Sequence, residues 1–345
     1  MSAELAVPRD DEFITGNTNR RTIELPGFRV LFPRDSDTAR YNAAVVGELI
    51  VLREVSLANV QAGIPDRGTL PIYRSTPDKI EKIAQLDLID SNVSNWEDAR
   101  AFRYTDEVGS EKAVLGLTAI RASDNKPVAA TVRGSIIDGN FVIEQESLVV
   151  YLNDEGKNVT PISPTEFLFR REGARDSLEI VEAGKDEDGK NKLRVKNVIK
   201  FPKKSWCEWQ IGTQAHFLPG GILPVHGVNR FTLAINPETG EETFGHTYSM
   251  GLAQIVNGKV VKITDKPLFT RGSFKHILPM GTELDPNKDV IYCCGYSVER
   301  DIVRFVINIG DLMTVEVSKS LTELQVALDC SSPVLPEQIP SGIAA

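Results

Sequence analysis

The stretch PVAATVRGSIIDGNFVIEQESLVVYL, residues 127–152, decides the fold class. Two apolar runs rich in Val, Ile and Phe flank Asp138-Gly139. A two-residue loop of that composition suits a hairpin, because the central residues of a primed turn take positive φ. Asn257-Gly258 repeats the signal between the runs 247–256 and 259–264. Further short strand-like runs cover 28–32, 48–57, 113–120, 166–170, 193–201, 222–228, 231–235, 290–298, 302–309 and 313–317, punctuated by turn residues. Helical periodicity is confined to 76–85, where Pro77-Asp78 opens a run that sets Ile80, Ile83 and Ala84 on one helical face. Strand clusters return roughly every 55 to 60 residues, the span of a four-stranded propeller blade. The pattern predicts an all-β chain: an N-terminal extension over 1–27, one β-propeller domain over 28–318 and an irregular, proline-bearing tail over 319–345. The charged segment 182–192 is expected to be a solvated hairpin.

Composition excludes whole classes of function. The 345 residues are 41% hydrophobic and 25% charged, enough apolar material for a large core. A formal charge of -9 argues against nucleic-acid or anionic-membrane partners, which depend on clustered Lys and Arg. The N-terminus shows no apolar signal region, and no apolar run approaches the roughly 20 residues that span a bilayer, so a soluble cytoplasmic protein is expected. Cys293 and Cys294 are adjacent, and neighbours in a strand point to opposite faces; with Cys207 and Cys330 they are expected to be buried free thiols. His216, His226, His246 and His276 fit no Cys/His zinc spacing, and no metal is expected.

The candidate chemistry centres on Trp96-Glu97-Asp98-Ala99-Arg100-Ala101-Phe102, just ahead of an apolar strand. A neighbouring acid raises a carboxyl pKa and a neighbouring Arg lowers it, so a carboxyl held between the two can be tuned to donate a proton. Other polar residues sit at strand ends or within apolar runs. Arg53 closes one strand, as an exposed cap or as a ligand. Lys157 and Asn158 follow a polar turn sequence. Arg170 and Arg171 alternate faces, so one of them points inward. His226 lies between Val225 and Gly227, as a core histidine or beside a ligand that the glycine lets approach. Trp96, Trp206 and Trp209 suit either sugar stacking or core packing.

Several segments, in order, resemble glycoside hydrolase family 130, the β-mannoside phosphorylases and β-mannosidases. Glu97-Asp98-Ala99-Arg100 stands where that family has Glu-Asp-Pro-Arg, and Gly156-Lys157-Asn158 followed by 167–171 is similar to its basic-Asn pair and Arg-ended strand. Ile211-Gly212 and the run 220–228 resemble its Ile-Gly and His-Gly-Val segments. Residues 248–254 and 291–296 resemble two later strands, and Asn42 with Leu52-Arg53 the first blade. The resemblance spans about 29–311 and implies a five-bladed β-propeller acting on β-mannosides by inverting phosphorolysis to mannose 1-phosphate, without cofactor and with inorganic phosphate as co-substrate. It makes Asp98 the general acid, acting through a sugar hydroxyl. It places Arg53, Glu97 and Arg100 with the sugar, and Lys157, Asn158, one of Arg170 and Arg171, and His226 with phosphate. The implied partners are a β-mannoside oligosaccharide and phosphate, with no nucleic acid and no membrane; a homo-oligomer is compatible with the composition.

Two departures keep other outcomes open. Ala99 replaces the family's Pro, and Gln210 stands where phosphorylases carry a Lys, exchanging a fixed charge for an amide whose hydrogen bonds are roughly half as strong. The alternatives are an inverting β-mannosidase, with Glu208, Glu299 or Asp301 activating water, and a non-catalytic carbohydrate-binding propeller.

Overall fold

The computed structural model describes residues 28–33, 37–58, 68–235, 239–274, 290–310 and 313–334. Nearly all of the regular structure is strand. After β1 (Phe28–Phe32), a first antiparallel sheet runs β2 (Thr38–Val46), β3 (Leu49–Ser56), β4 (Pro71–Ser75) and β5 (Ile80–Gln85). Next come β6 (Val93–Thr105), β7 (Glu111–Arg121), β8 (Pro127–Ile137) and β9 (Asn140–Ile143), then β10 (Val149–Pro161), β11 (Glu166–Arg171), β12 (Ser177–Lys185) and β13 (Asn191–Lys200). Pairing of β10 with β8 joins these two sets into one eight-stranded sheet. A four-stranded sheet follows from β14 (Gln210–Gly212), β15 (Ile222–Ile235), β16 (Glu242–Val256) and β17 (Lys259–Ile263). The last is β18 (Ile291–Glu299), β19 (Ile302–Ile309) and β20 (Met313–Ser320), with β1 antiparallel on β20 in the register Phe28↔Val317. The first described strand is thus tied to the last.

The hairpins follow from turn chemistry. Asp138 and Gly139 take φ of 50° and 70°, and Asn257 and Gly258 take 50° and 71°, the paired positive φ of a primed turn. The expected hairpin at 182–192 forms between β12 and β13.

The core lies between successive sheets. Val51 and Ile72 of the first sheet pack with Leu115 and Val132 of the next, and Val114 and Ala129 with Phe167 and Phe169. Leu168 and Leu178 meet Leu223 and Ala253, and Ile222 and Met250 meet Phe305 and Val315. The series returns to its start where Ala43 and Leu52 meet Tyr292 and Val306. Strands buried on both faces explain why β7 and β8 read as continuous apolar runs. Opposite faces also separate the adjacent thiols: Cys293 joins the cluster of Phe305, and Cys294 that of Leu52.

Several expectations are corrected. Residues 80–85 form strand β5 and not a helix: Ile80 and Ile83, three apart, point to opposite faces and enter two different inter-sheet clusters, which one helical face cannot supply. The runs 222–228 and 231–235 are one strand, β15, whereas 140–152 breaks into β9 and β10. The expected tail from 319 holds the end of β20 and a helix, α1 (Leu321–Asp329), with Leu324 and Leu328 fully buried. Cys330 is exposed rather than buried. The extension 1–27, His276 and residues 335–345 lie outside the described residues. Among those described, no helix is long and apolar enough to cross a membrane.

Candidate active site

Three inner strands share one irregularity. β2, β6 and β10 each carry a non-glycine residue at positive φ, namely Asn42 (55°), Asp98 (53°) and Asn158 (60°). At each the register with the neighbouring strand shifts: between Tyr41 and Ala44, between Glu97 and Arg100, and between Lys157 and Thr160. Asn and Asp tolerate this conformation best among residues with a Cβ, and a bulge re-aims the side chain it carries. All three side chains turn into one cavity of about 380 Å³. Asp98 therefore lies inside a strand, not ahead of one as the sequence suggested.

The same cavity is lined by Arg53, Glu97, Lys157, Arg170 and His226, so seven of the nine expected site residues, counting Asp98 and Asn158, converge on it. Two do not. Arg100 is fully buried behind it, its Nη1 donating to the carbonyl oxygens of Asn42 and Ala99. Arg171 faces the other side of β11, where its Nε and Nη2 donate to the Glu179 carboxylate at 2.8–3.1 Å and its guanidinium covers the Phe169 ring. The inward-facing arginine is Arg170.

Geometry fixes the charges. Arg53 Nη2 holds Glu97 Oε1 at 2.8 Å, and its Nη1 lies 3.6 Å from Asp98 Oδ1. Asp98 Oδ1 also accepts from Asn42 Nδ2, and Asn42 Oδ1 accepts from the Tyr292 hydroxyl. Burial raises the Glu97 pKa, with the Asp98 charge adding to it, against the pull of Arg53 and Lys157. Arg170 is held below its ordinary value by burial. Burial, followed by the charges of Arg170 and Arg100, drives His226 down to about 3. The ring of His226 is therefore neutral at physiological pH and donates a single N–H. Gly212 makes room for it, since a Cβ there would stand 3.0 Å from His226 Nε2.

Residues the sequence left without a role also line the cavity: Asn42, Tyr41, Gln214, Tyr248 and Tyr292. A signal for two of them exists, because Asn42, Asp98, Asn158 and Gln214 recur at intervals of roughly 56 to 60 residues, the blade period. None of the three tryptophans lines it. Trp96 and Trp206 donate to the backbone oxygens of Leu88 and Thr264, and Trp209 packs against Arg175 and His246. Gln210 and Glu208 line a separate cleft of about 330 Å³. Glu299 is exposed and pairs with Arg304, and Asp301 lies in the same exposed turn. Among the described residues, no group of three His, Cys, Asp or Glu side chains is placed to hold a metal ion.

The cavity thus sets three cationic side chains (Arg53, Lys157, Arg170) against two carboxyls (Glu97, Asp98), amid amides and tyrosines. Such a site can hold an anion beside a polyhydroxylated ligand and place one acid against it.

No protein-family model matches the chain, and no curated protein matches it by sequence. Solved structures do. A β-1,2-mannobiose phosphorylase from Listeria innocua, in complex with β-1,2-mannobiose, matches at 13% identity and TM-score 0.51, over 90% of this chain and 95% of that one. MPT-4, a mannose phosphorylase from Leishmania mexicana in complex with a phosphate ion, matches at 12% identity and TM-score 0.53, over 94% and 95%. MPT-1, a GDP-Man-dependent mannosyltransferase of the same organism, matches at 12% and TM-score 0.51, over 84% and 88%. The fold is that of the mannoside phosphorylases, in agreement with the resemblance carried by the sequence motifs.

Proposed function

We propose that this chain is a five-bladed β-propeller that cleaves β-mannosides by inverting phosphorolysis. The five inter-sheet clusters, the last returning to the first sheet, support the blade count. Asp98 protonates the leaving-group oxygen, directly or through a sugar hydroxyl, as the anomeric C–O bond breaks. A phosphate oxygen attacks the anomeric carbon from the opposite face, giving α-mannose 1-phosphate and the freed acceptor sugar. The proton that phosphate sheds returns Asp98 to its starting state. Lys157, Arg170, Asn158 and the neutral His226 hold the phosphate, while Arg53 and Glu97 orient the sugar. Phosphate is the co-substrate, and the reaction as written calls for no metal or organic cofactor. A cytoplasmic location belongs to the same proposal, supported by four cysteines without a disulfide.

The carrying observation is the convergence of Asp98 with three cations in one cavity of a protein whose net charge is -9. The phosphate ion of one structural neighbour and the mannobiose of another support the same pair of ligands. Hydrolysis is the weaker reading: Glu208, Glu299 and Asp301 do not line the cavity, and the second acid that does, Glu97, is clamped by Arg53 at 2.8 Å. Incubation with β-1,2- and β-1,4-mannobiose, with and without phosphate, tests the proposal. Mannose 1-phosphate formed only with phosphate is expected. Free mannose formed regardless of phosphate establishes the hydrolase, and sugar binding without either product the non-catalytic propeller.

A further inference from the structure

The hydrogen-bond order behind Asp98 runs through three sheets. Tyr292 on β18 donates its hydroxyl to Asn42 Oδ1 on β2, and Asn42 Nδ2 donates to Asp98 Oδ1 on β6. Arg100 Nη2 also reaches Asn42 Oδ1, at 3.5 Å, and Arg100 Nη1 lies 3.4 Å from the Asn42 carbonyl oxygen. A guanidinium only donates, so a flipped Asn42 amide would set N–H against N–H. The amide is locked with its nitrogen toward Asp98. Asp98 Oδ1 thereby accepts from Asn42, with Arg53 Nη1 3.6 Å away, and both of these contacts fall on Oδ1 and not on Oδ2. Asn42, Arg100 and Tyr292 are all buried, at 6%, 0% and 3% exposure, where a hydrogen bond is stronger than in water.

We propose that Tyr292, acting through Asn42, is a positioning residue that assigns the transferable proton of Asp98 to Oδ2, the oxygen left free to meet the substrate. The inference rests on the proposed role of Asp98 as proton donor. It adds that the donor is aimed by the last and first sheets together, so its geometry depends on the contact between β18 and β2. The positive φ of Asn42 belongs to the same device, since Asn combines tolerance of that conformation with an amide that accepts on one side and donates on the other.

The test uses leaving groups. Tyr292→Phe removes the hydroxyl alone, and Asn42→Gly keeps the positive φ but removes the amide that links Tyr292 to Asp98. Each is assayed with the mannobiose that the wild type phosphorolyses and with 2,4-dinitrophenyl β-mannoside, whose leaving group departs as an anion and needs no proton. On the disaccharide kcat should fall about 10- to 100-fold, with KM for phosphate unchanged. On the aryl mannoside the loss should stay under about threefold. Equal losses on both substrates mark a merely structural role and overturn the proposal, as does an unchanged disaccharide kcat. If Tyr292→Phe lacks a cooperative melt, Asn42→Gly decides by the same two outcomes. Asp98→Asn runs alongside. Should it stay active on the disaccharide, the donor assignment itself fails; should it be inactive while Tyr292→Phe is unaffected, only the positioning role fails.

Discussion

Asp98 and the arginine pair show how much one side chain's direction decides. Asn is the conservative replacement for Asp98, because it keeps the size, accepts from Asn42 and tolerates the 53° φ. Asp98→Asn should lower kcat on mannobiose by about 10²- to 10⁴-fold, the usual worth of a positioned acid, with an unchanged melting temperature. A fall in melting temperature matching the loss of activity would make the residue structural. Arg170 and Arg171 are adjacent, yet one lines the cavity and the other grips Glu179. Arg170→Ala should raise KM for phosphate more than KM for the sugar. Arg171→Ala should leave both constants alone and cost at most about 1 kcal/mol in denaturant unfolding, since its ion pair is partly solvated. Reversed effects would exchange the two roles. The sequence alone left the choice open because alternation says that one faces inward without saying which.

At the scale of elements, the bulged inner strands carry the chemistry, and the same bulges hid them. A strand that lines a polar cavity breaks its apolar alternation, so β6, with Glu97, Asp98 and Arg100 at its centre, resembles a turn followed by a strand. β2 was not legible as a strand either: Asn42 stood out only through the family resemblance, and the cavity residue Tyr41 not at all. Strands packed on both faces announced themselves, as did the hairpins at Asp138-Gly139 and Asn257-Gly258, because their chemistry is local. α1 had a local signal too: Ser320 and Glu323 form a reciprocal capping box, each side chain bonding the other's backbone N–H. Its proline-bearing flank masked it. The inner bulges make a testable demand on backbone conformation. Asn158 at φ 60° should accept Gly with little loss of stability. Asn158→Val should cost about 1 to 2 kcal/mol more than Asn158→Gly, because a β-branched residue is strained there. Equal midpoints in urea for the two variants would show that the bulge relaxes.

The whole molecule responds to pH through two desolvated histidines, one on β15 and one in the connection that follows β14. His226 on β15 is held down to about 3 by burial and by Arg170 and Arg100. His216, its Nδ1 2.9 Å from the Tyr296 hydroxyl and its ring against Phe102, is held down to about 4 by burial. Both are neutral in the folded protein, whereas a solvated histidine titrates near 6.5. As pH falls below about 6.5 the unfolded chain binds protons that the folded one refuses, so stability drops with falling pH, through a window reaching down to about 4 for His216 and about 3 for His226. Glu97 works in the opposite direction, because burial raises its folded pKa and acidification relieves that penalty. Its effect opens at that raised folded pKa and closes near the ordinary carboxyl value, so it opposes the histidines, and the interval from pH 6.5 to 5 is theirs alone in a Glu97→Gln background. There the unfolding free energy from urea titrations should come to fall by about 1.4 kcal/mol per pH unit for each histidine, close to 2.7 for the pair. His216→Gln should reduce stability at pH 7 through lost packing while halving that slope, because one of the two protons is no longer refused. A stability flat between pH 6.5 and 5 would mean that the rings titrate freely and that the interior around them admits water.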